Sequence, residues 1–314
     1  MKRRTKSLVL QKLEAAIPRL PANHPGIPEL RHELAKELKG YIGEKKVDYF
    51  LEELDGKCTI LQGICLRINN KKFQIDTLLL TENAIYIVEI KNYSGTITFD
   101  TILNQFTQND GEKEKGYRHP ITQAELQKIR LGNWLQEHDF QSFPIYFFIA
   151  ISDAATIIKV IGDTSYISRL VAQGEHIPGK ILEIERGIAG SGMDRLNHRQ
   201  LGNRLLQESE EYDFDILGKY GIKHNNMLPG VHCPKCGVLG MTRQRKWHCK
   251  KCNHISKNAH YKAFSDYFLL IKSSISNSEC GHFLKLHSRH IAHRMLKESG
   301  LILKKESRRW VKRV

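Results

Sequence analysis

Asp76, Glu89 and Lys91 are the residues of this chain whose types and spacing could do chemistry. Twelve residues separate Asp76 from Glu89, and Glu89 and Lys91 are two apart in the run Val88-Glu89-Ile90-Lys91. On a strand, side chains two apart share a face. The acid and the amine therefore point the same way, at the end of a stripe that also carries Ile85 and Ile87. Two carboxylates and an amine at the end of a buried hairpin are costly unless they hold a cation and act on something. Glu44 is a further candidate. It follows Gly43 on the apolar side of a helical stretch with Tyr41, Val47 and Leu51, where a carboxylate needs a partner. Taken alone, Glu44 reads more simply as a salt bridge to a nearby Lys, and a lone Glu-x-Lys carries no information.

Several elements must position these groups. Leu34, Leu38, Tyr41, Val47, Leu51 and Leu54 recur at helical spacing and predict one long helix over Glu29–Leu54, ended by Gly56. Strands are expected at Thr59–Ile68, Phe73–Thr81, Ile85–Lys91 and Thr96–Phe99, with a tight turn at Glu82-Asn83-Ala84. A polar loop at 111–116 precedes a helix from about Ile121, with Leu126, Ile129, Trp134 and Leu135 inward. The apolar run 144–152 reads as a strand buried on both faces, and a further helix is expected near Leu196–Ser209. This order of helix, antiparallel strands, helix and strand predicts a mixed α/β domain.

Taken together, Gly43-Glu44, Gln74-Ile75-Asp76 and Val88-Glu89-Ile90-Lys91-Asn92-Tyr93-Ser94-Gly95 resemble the nuclease-related domain (NERD) family of the PD-(D/E)XK nuclease superfamily. His119-Pro120-Ile-Thr-Gln123 is a further match, with His119 where the family more often has Asn. The resemblance covers roughly residues 35–150. It implies a mixed sheet flanked by helices, with a divalent-metal site at the end of a hairpin. In that site Asp76 and Glu89 would bind Mg²⁺ or Mn²⁺, joined by the Ile90 carbonyl. Glu44 would hold a metal-bound water or a second ion. Lys91 would position and polarise the attacking water, and Gln123 would orient the site or touch the phosphate.

Cys233-Pro-Lys-Cys236 and Cys249-Lys-Lys-Cys252 form a CxxC-x12-CxxC pattern. Four thiolates so spaced suit tetrahedral, structural Zn²⁺, and the pattern resembles a zinc ribbon with a hairpin at Val238–Thr242 and Lys246–His248. A redox disulfide pair is the competing reading. Beyond Asn258 the chain reads as three helices and a basic wing, resembling a winged helix-turn-helix. Phe264, Tyr267, Phe268 and Ile271 would face inward from the first helix, and Ile291, Met295 and Leu296 from the third, with Ser288 as N-cap and Gly300 as stop. Arg243, Arg245, Lys246, Lys250 and Lys251 on the ribbon are candidate nucleic-acid contacts. Arg289, His290, His293 and Arg294 on the third helix, with Lys304, Lys305, Arg308 and Arg309 on the wing, complete that set.

Charge separates the two halves of this reading. Residues 219–314 hold 21 Lys+Arg against 4 Asp+Glu, a balance of +17, whereas residues 1–218 balance at −2. Such an excess in one third of the chain points to a polyanion partner there. Cys58, Cys65 and Cys280 are scattered and leave an odd count, unlike a disulfide framework. No apolar run approaches the roughly 20 residues of a membrane-spanning helix, so a cytoplasmic protein without a membrane partner is expected. The expected layout is an arm (1–30), a nuclease-related domain (31–218), a linker (219–228), a zinc ribbon (229–257) and a winged-helix-like segment (258–314). The expectation is a metal-dependent DNA nuclease. A non-catalytic DNA-binding or regulatory platform and an RNA-binding zinc-ribbon protein are the alternatives.

Overall fold

The computed structural model describes residues 2–140, 143–188 and 195–313. In chain order it begins with α1 (Leu8–Ala16) and the long α2 (Ile27–Leu51), followed by β1 (Thr59–Ile68), β2 (Lys71–Leu80) and β3 (Ile85–Lys91). Next come β4 (Thr96–Asp100), β5 (Gln105–Asn109), β6 (Glu114–Tyr117), α3 (Pro120–Glu137) and β7 (Ile145–Ile151). Then follow β8 (Ile157–Ile161), α4 (Thr164–Leu170), β9 (Val171–Gln173), α5 (Ile177–Ile188) and α6 (His198–Glu208). After α7 (Ile216–Lys219) come β10 (Thr242–Arg243), β11 (Trp247–His248), β12 (Ile255–Ser256) and α8 (His260–Leu270). The last elements are β13 (Ser274–Ile275), α9 (Asn277–Leu284), α10 (Arg289–Glu298), β14 (Ile302–Lys304) and β15 (Arg309–Val311). Two compact units result: Met1–Ser7 with Lys36–Asp213, and Leu8–Ala35 with Phe214–Val314.

The first unit is built on a five-stranded sheet of order β1-β2-β3-β7-β9. β1, β2 and β3 run antiparallel, while β7 lies parallel to β3, and β9 parallel to β7. Asn69 and Asn70, at φ 47° and 59°, turn β1 into β2, as a two-residue hairpin with positive φ at both central positions requires. Thr81 closes the β2–β3 turn, its hydroxyl accepting the N–H groups of Asn83 and Ala84. A parallel neighbour demands a crossover, and residues 92–144 supply it. They contain α3 and most of a second, four-stranded sheet of order β6-β5-β4-β8. One core is formed by β1–β3 with Leu131, Trp134 and Leu135 of α3 and Leu201 and Leu205 of α6. Another forms around Val47 and Leu51 of α2, Tyr86 and Val88 of β3, and Ile177 and Ile181 of α5.

Three local expectations change. The stretch 111–116, expected as a polar loop, is a hairpin tip whose second arm is β6, paired with β5. Ile129, expected to face inward, is exposed, and Gln127 is buried in its helix instead. The long helix stops at Leu51 and tightens to a 3-10 turn over Glu52–Leu54.

The second unit differs more from expectation. Residues 1–30 are not one arm: Met1–Ser7 belong to the first unit, while α1 and the start of α2 build the second. Val9, Leu13, Leu20, Ile27 and Leu30 pack with Ile216, Leu217, Ile222, Met227 and Leu270. The expected linker 219–228 is therefore core-forming, because the apolar residues between its polar ones have a face to cover. Arg19, fully buried, donates to Asp266 and to the carbonyls of Leu228 and Gly230 within the same unit. The ribbon carries three strands rather than a hairpin, in the order β10-β11-β12. After it come α8, β13, α9, α10 and the β14–β15 hairpin, with β13, β15 and β14 forming one three-stranded sheet. Trp247, Phe264, Tyr267, Phe283, Met295, Leu296 and Trp310 share one core. Ser288 takes the N-cap position of α10 without a side-chain capping bond, and Gly300 ends the helix region at φ 73°.

Candidate active site and four-cysteine centre

Asp76, Glu89 and Lys91 lie on β2 and β3, as expected, and α2 brings Glu44 toward them. Gly43 explains how the helix comes so near. A Cβ at this position would lie 2.5 Å from the Asn92 Cβ and 2.7 Å from the Ser152 Oγ. Only a glycine lets α2 approach the ends of β3 and β7, and Glu44 is the next residue. Gly95 works similarly: at φ 79°, its missing Cβ would collide with the Asn109 carbonyl, and its absence lets the chain leaving β3 enter the second sheet.

Glu89 is the anchor of the site, at 1% exposure. Lys91 Nζ donates to its Oε1 at 2.7 Å, and Gln123 Nε2 to the same oxygen at 2.6 Å. Gln127 Nε2 donates to Oε2 at 2.7 Å. Lys91 Nζ also donates to Gln123 Oε1 at 3.1 Å, closing a ring of Glu89, Lys91 and Gln123. Asp76 Oδ2 accepts the Ile90 N–H at 2.9 Å, while its Oδ1 is engaged by none of these bonds. His119 starts α3 without a capping bond and packs edge-on to Phe99 and Phe106. An imidazole there serves as an aromatic wedge and leaves the cap unmade.

Electrostatics mark the site as short of positive charge. Burial, and then Asp76, push Glu44 up to about 7, although Arg4 pulls the other way. Burial and Asp76 likewise push Glu89 up to about 7 against the pull of Lys91. For Lys91 itself, burial opposes the charge, but Glu89 and Asp76 outweigh it and raise its pKa, so the amine is an ammonium. Carboxylates raised by burial and by the neighbouring Asp76, with oxygen donors alone, fit a hard divalent cation, whose charge would reverse the shifts. Asp76 and Glu89, with Glu44 nearby, are the residues that could hold it.

Two further groups had no signal of their own in the sequence. Gln127 lies one helical turn after Gln123, so only the fold shows that both amides reach Glu89. Arg4 is one basic residue among Lys2, Arg3 and Lys6, yet its side chain is 4% exposed and bound to Glu44 Oε2 at 2.7 Å and Asp48 Oδ2 at 2.6 Å. The salt bridge foreseen for Glu44 therefore exists, with an arginine from 40 residues away rather than a neighbouring lysine.

Residues 39–152 match the nuclease-related domain family, NERD. The match spans the Gly43-Glu44 pair, both acidic strands and α3 as far as the end of β7. An uncharacterized protein of Bacillus anthracis is 31% identical to this chain over 101 residues, 32% of this chain and 47% of that protein. The chain thus spans about half the length of that relative. No solved structure matches.

In the second unit the four cysteines converge, their sulfurs all within 4.8 Å of one another. Cys233 and Cys252 sulfurs lie 3.6 Å apart, as do those of Cys236 and Cys249. Zn–S bonds of about 2.3 Å at tetrahedral angles put sulfurs roughly 3.8 Å apart, so the cluster could bind zinc and is compatible with a zinc ribbon. The spacing exceeds a bonded disulfide, about 2.05 Å. Each CxxC turn closes identically: Gly237 N–H donates to the Cys233 carbonyl and Asn253 N–H to the Cys249 carbonyl, both at 2.9 Å. Desolvation opposes ionisation of Cys249, but backbone contacts from Cys252 and Lys251 bring it down to about 6. Cys252 goes the other way: a backbone contact from His254 lowers it, but desolvation and the neighbouring sulfurs push it up to about 12, so the first thiolate of the cluster forms at Cys249.

The basic candidates fall into two groups. Arg245, Lys246, Lys250, Lys251, Arg289, His290, His293, Arg294, Lys304, Lys305 and Arg308 are exposed. Arg309 is half-buried, donating to the Ser274 hydroxyl and carbonyl and to Glu279, so it fastens the β13–β15 pair. Arg243 is also half-buried, its guanidinium 5.4 Å from the Trp247 ring centre. These two serve the fold of the unit. Among the described residues, no helix is long and apolar enough to cross a membrane.

Proposed function

We propose that this protein is a metal-dependent DNA nuclease whose basic second unit holds the nucleic acid. The observation that carries the reading is the Glu89 assembly: a buried carboxylate aligned by Gln123 and Gln127, beside an ammonium on the same strand face and Asp76 on the next strand. Purely structural carboxylates gain nothing from being pushed toward neutrality by burial beside another acid.

A divalent cation on Asp76 and Glu89, with the Ile90 carbonyl, would supply Lewis acidity and an activated water. The protein's own groups do the rest. Gln123 and Gln127 fix both oxygens of Glu89. Lys91, kept protonated by Glu89 and Asp76, stands ready to offset charge growing on a phosphate. It acts as an electrostatic group and not as a general base. Glu44 is placed to orient the attacking water from the helix side.

For the second unit, the order α8, β13, α9, α10, β14, β15 and the sheet order β13-β15-β14 support a winged-helix reading. In it α10 would present Arg289, His290, His293 and Arg294 to the major groove, and the β14–β15 turn would place Lys304, Lys305 and Arg308 on phosphates. A structural zinc would hold the ribbon beside them in sequence.

The test is cleavage of supercoiled, linear and single-stranded DNA with Mg²⁺ or Mn²⁺, wild type beside Glu89→Ala. Cutting by the wild type alone is expected. If neither protein cuts while both bind DNA in a salt-sensitive way, the protein is a binding platform and the nuclease reading fails.

A further inference from the structure

The guanidinium of Arg4 donates through all three of its nitrogens. Its Nε donates to Asp48 Oδ2 at 2.6 Å and its Nη1 to Glu44 Oε2 at 2.7 Å. Its Nη2 donates to Asp48 Oδ1 at 3.0 Å and to the Asp76 carbonyl and Thr77 Oγ1, both at 2.8 Å. The strand ladder is arranged to receive it. Pairing of β1 with β2 runs from Gln62↔Thr77 to Ile64↔Ile75 and skips Gly63 and Asp76 between them. Gly63 adopts φ 61° at that break. The Asp76 carbonyl is thereby released from the ladder and turned to Arg4, and the Gly63 carbonyl accepts Lys2 Nζ at 2.7 Å. The segment is held along β1 as well: Gln62 N–H donates to the Lys2 carbonyl at 3.0 Å and Arg4 N–H to Gln62 Oε1 at 2.6 Å.

We propose that Arg4 is a built-in cation occupying the helix side of the acidic site, so that the site takes one divalent metal, on Asp76 and Glu89, rather than two. The inference rests on the metal-dependent reading above and adds its stoichiometry. Charge counting supports it: Glu44, Asp48, Asp76 and Glu89 against Arg4 and Lys91 leave a formal −2, which one divalent ion balances. Geometry supports it independently. Asp48 spends both its oxygens, and Glu44 its Oε2, on a guanidinium that is also tied to the strand bearing Asp76, so a second ion on these groups would have to expel it.

Mn²⁺ binding to the full-length, zinc-loaded chain, by calorimetry and by loss of the free-ion electron paramagnetic resonance signal, tests this. One ion per chain is expected for wild type, none for Asp76→Asn, and one still for Glu44→Gln. Arg4→Met, which removes the charge and keeps the aliphatic stem, is expected to bind two; Arg4→Lys is expected to bind one. Two ions in wild type would overturn the inference while leaving the nuclease reading intact. One ion in a folded Arg4→Met, or loss of binding in Glu44→Gln, would also overturn it. No binding by wild type would remove the metal-dependent reading and this inference with it. Should Arg4→Met not fold, the wild-type count with Glu44→Gln and Asp76→Asn still decides.

Discussion

Glu89 and His260 show how single side chains set what each unit can do. Gln127 Nε2 reaches both Glu89 Oε2 and the Gln74 carbonyl, so it ties the carboxylate to the neighbouring strand. Groups that orient a metal ligand typically change affinity or activity by about 10–100-fold. Gln127→Leu, similar in size, is expected to raise the Mn²⁺ concentration for half-maximal cleavage by about tenfold with the fold intact by circular dichroism; an unchanged midpoint would reduce Gln127 to packing. His260 gives a pH signature. Burial, with Arg243 adding to it, lowers its pKa from 6.5 to about 4, and its Nδ1 accepts the Trp247 indole N–H at 3.1 Å. The unfolded chain then takes up this proton more readily than the folded one. The stability it gives is full above about 6.5 and is lost as pH falls toward 4. His260→Gln keeps an acceptor for Trp247 without titrating. It is expected to move the acid transition of the second unit, followed by tryptophan fluorescence, to lower pH. An unmoved transition would show that His260 does not set the acid sensitivity of the unit.

Among the elements, α2 matters most, because it places Glu44 through a glycine contact. Gly43→Ala forces a methyl against Asn92 and Ser152. Overpacking of this kind costs about 1–3 kcal/mol, readable as a lowered denaturant midpoint. The loss of cleavage is expected to exceed what that instability explains, since the helix must retreat with Glu44 on it. Wild-type activity in Gly43→Ala would show that the approach of α2 is incidental. Element type was largely legible in the chain. β1, β2 and β3 lie where strands were expected, and the unbroken apolar run 144–152 gave β7. The acidic strands and α3 were legible because local pattern and family motif coincide there. Short strands such as β6, β12 and β13 carry too few residues for any period to show, and their pairing is decided by distant partners. Arg4 was illegible for the same reason: its burial is set by a break at Gly63 that no local pattern marks.

For the whole molecule, the division into units changes how DNA binding should be tested. Cutting the chain after Asp213 would leave α1 and the start of α2 without Ile216, Leu217, Met227 and Leu270, their core partners. Such a fragment is expected to aggregate, so its DNA affinity would be uninformative. Charge neutralisation in the intact chain is the better probe. Arg289→Ala, Arg294→Ala and Lys304→Ala change exposed side chains. Each that meets a phosphate is expected to flatten the plot of log affinity against log salt by about 0.9. A slope unchanged in the triple variant would move the DNA-binding face away from α10 and the wing.

The interleaving of the two units also bears on synthesis. Leu8–Ala35 belongs with Phe214–Val314, but the whole of Lys36–Asp213 is made between them. At translation speeds of about 5–20 residues per second, the apolar face of Val9, Leu13, Leu20 and Leu30 leaves the ribosome roughly ten to forty seconds before the residues that cover it. During that interval the nascent chain carries an open hydrophobic surface, available to other chains until its own partners are made.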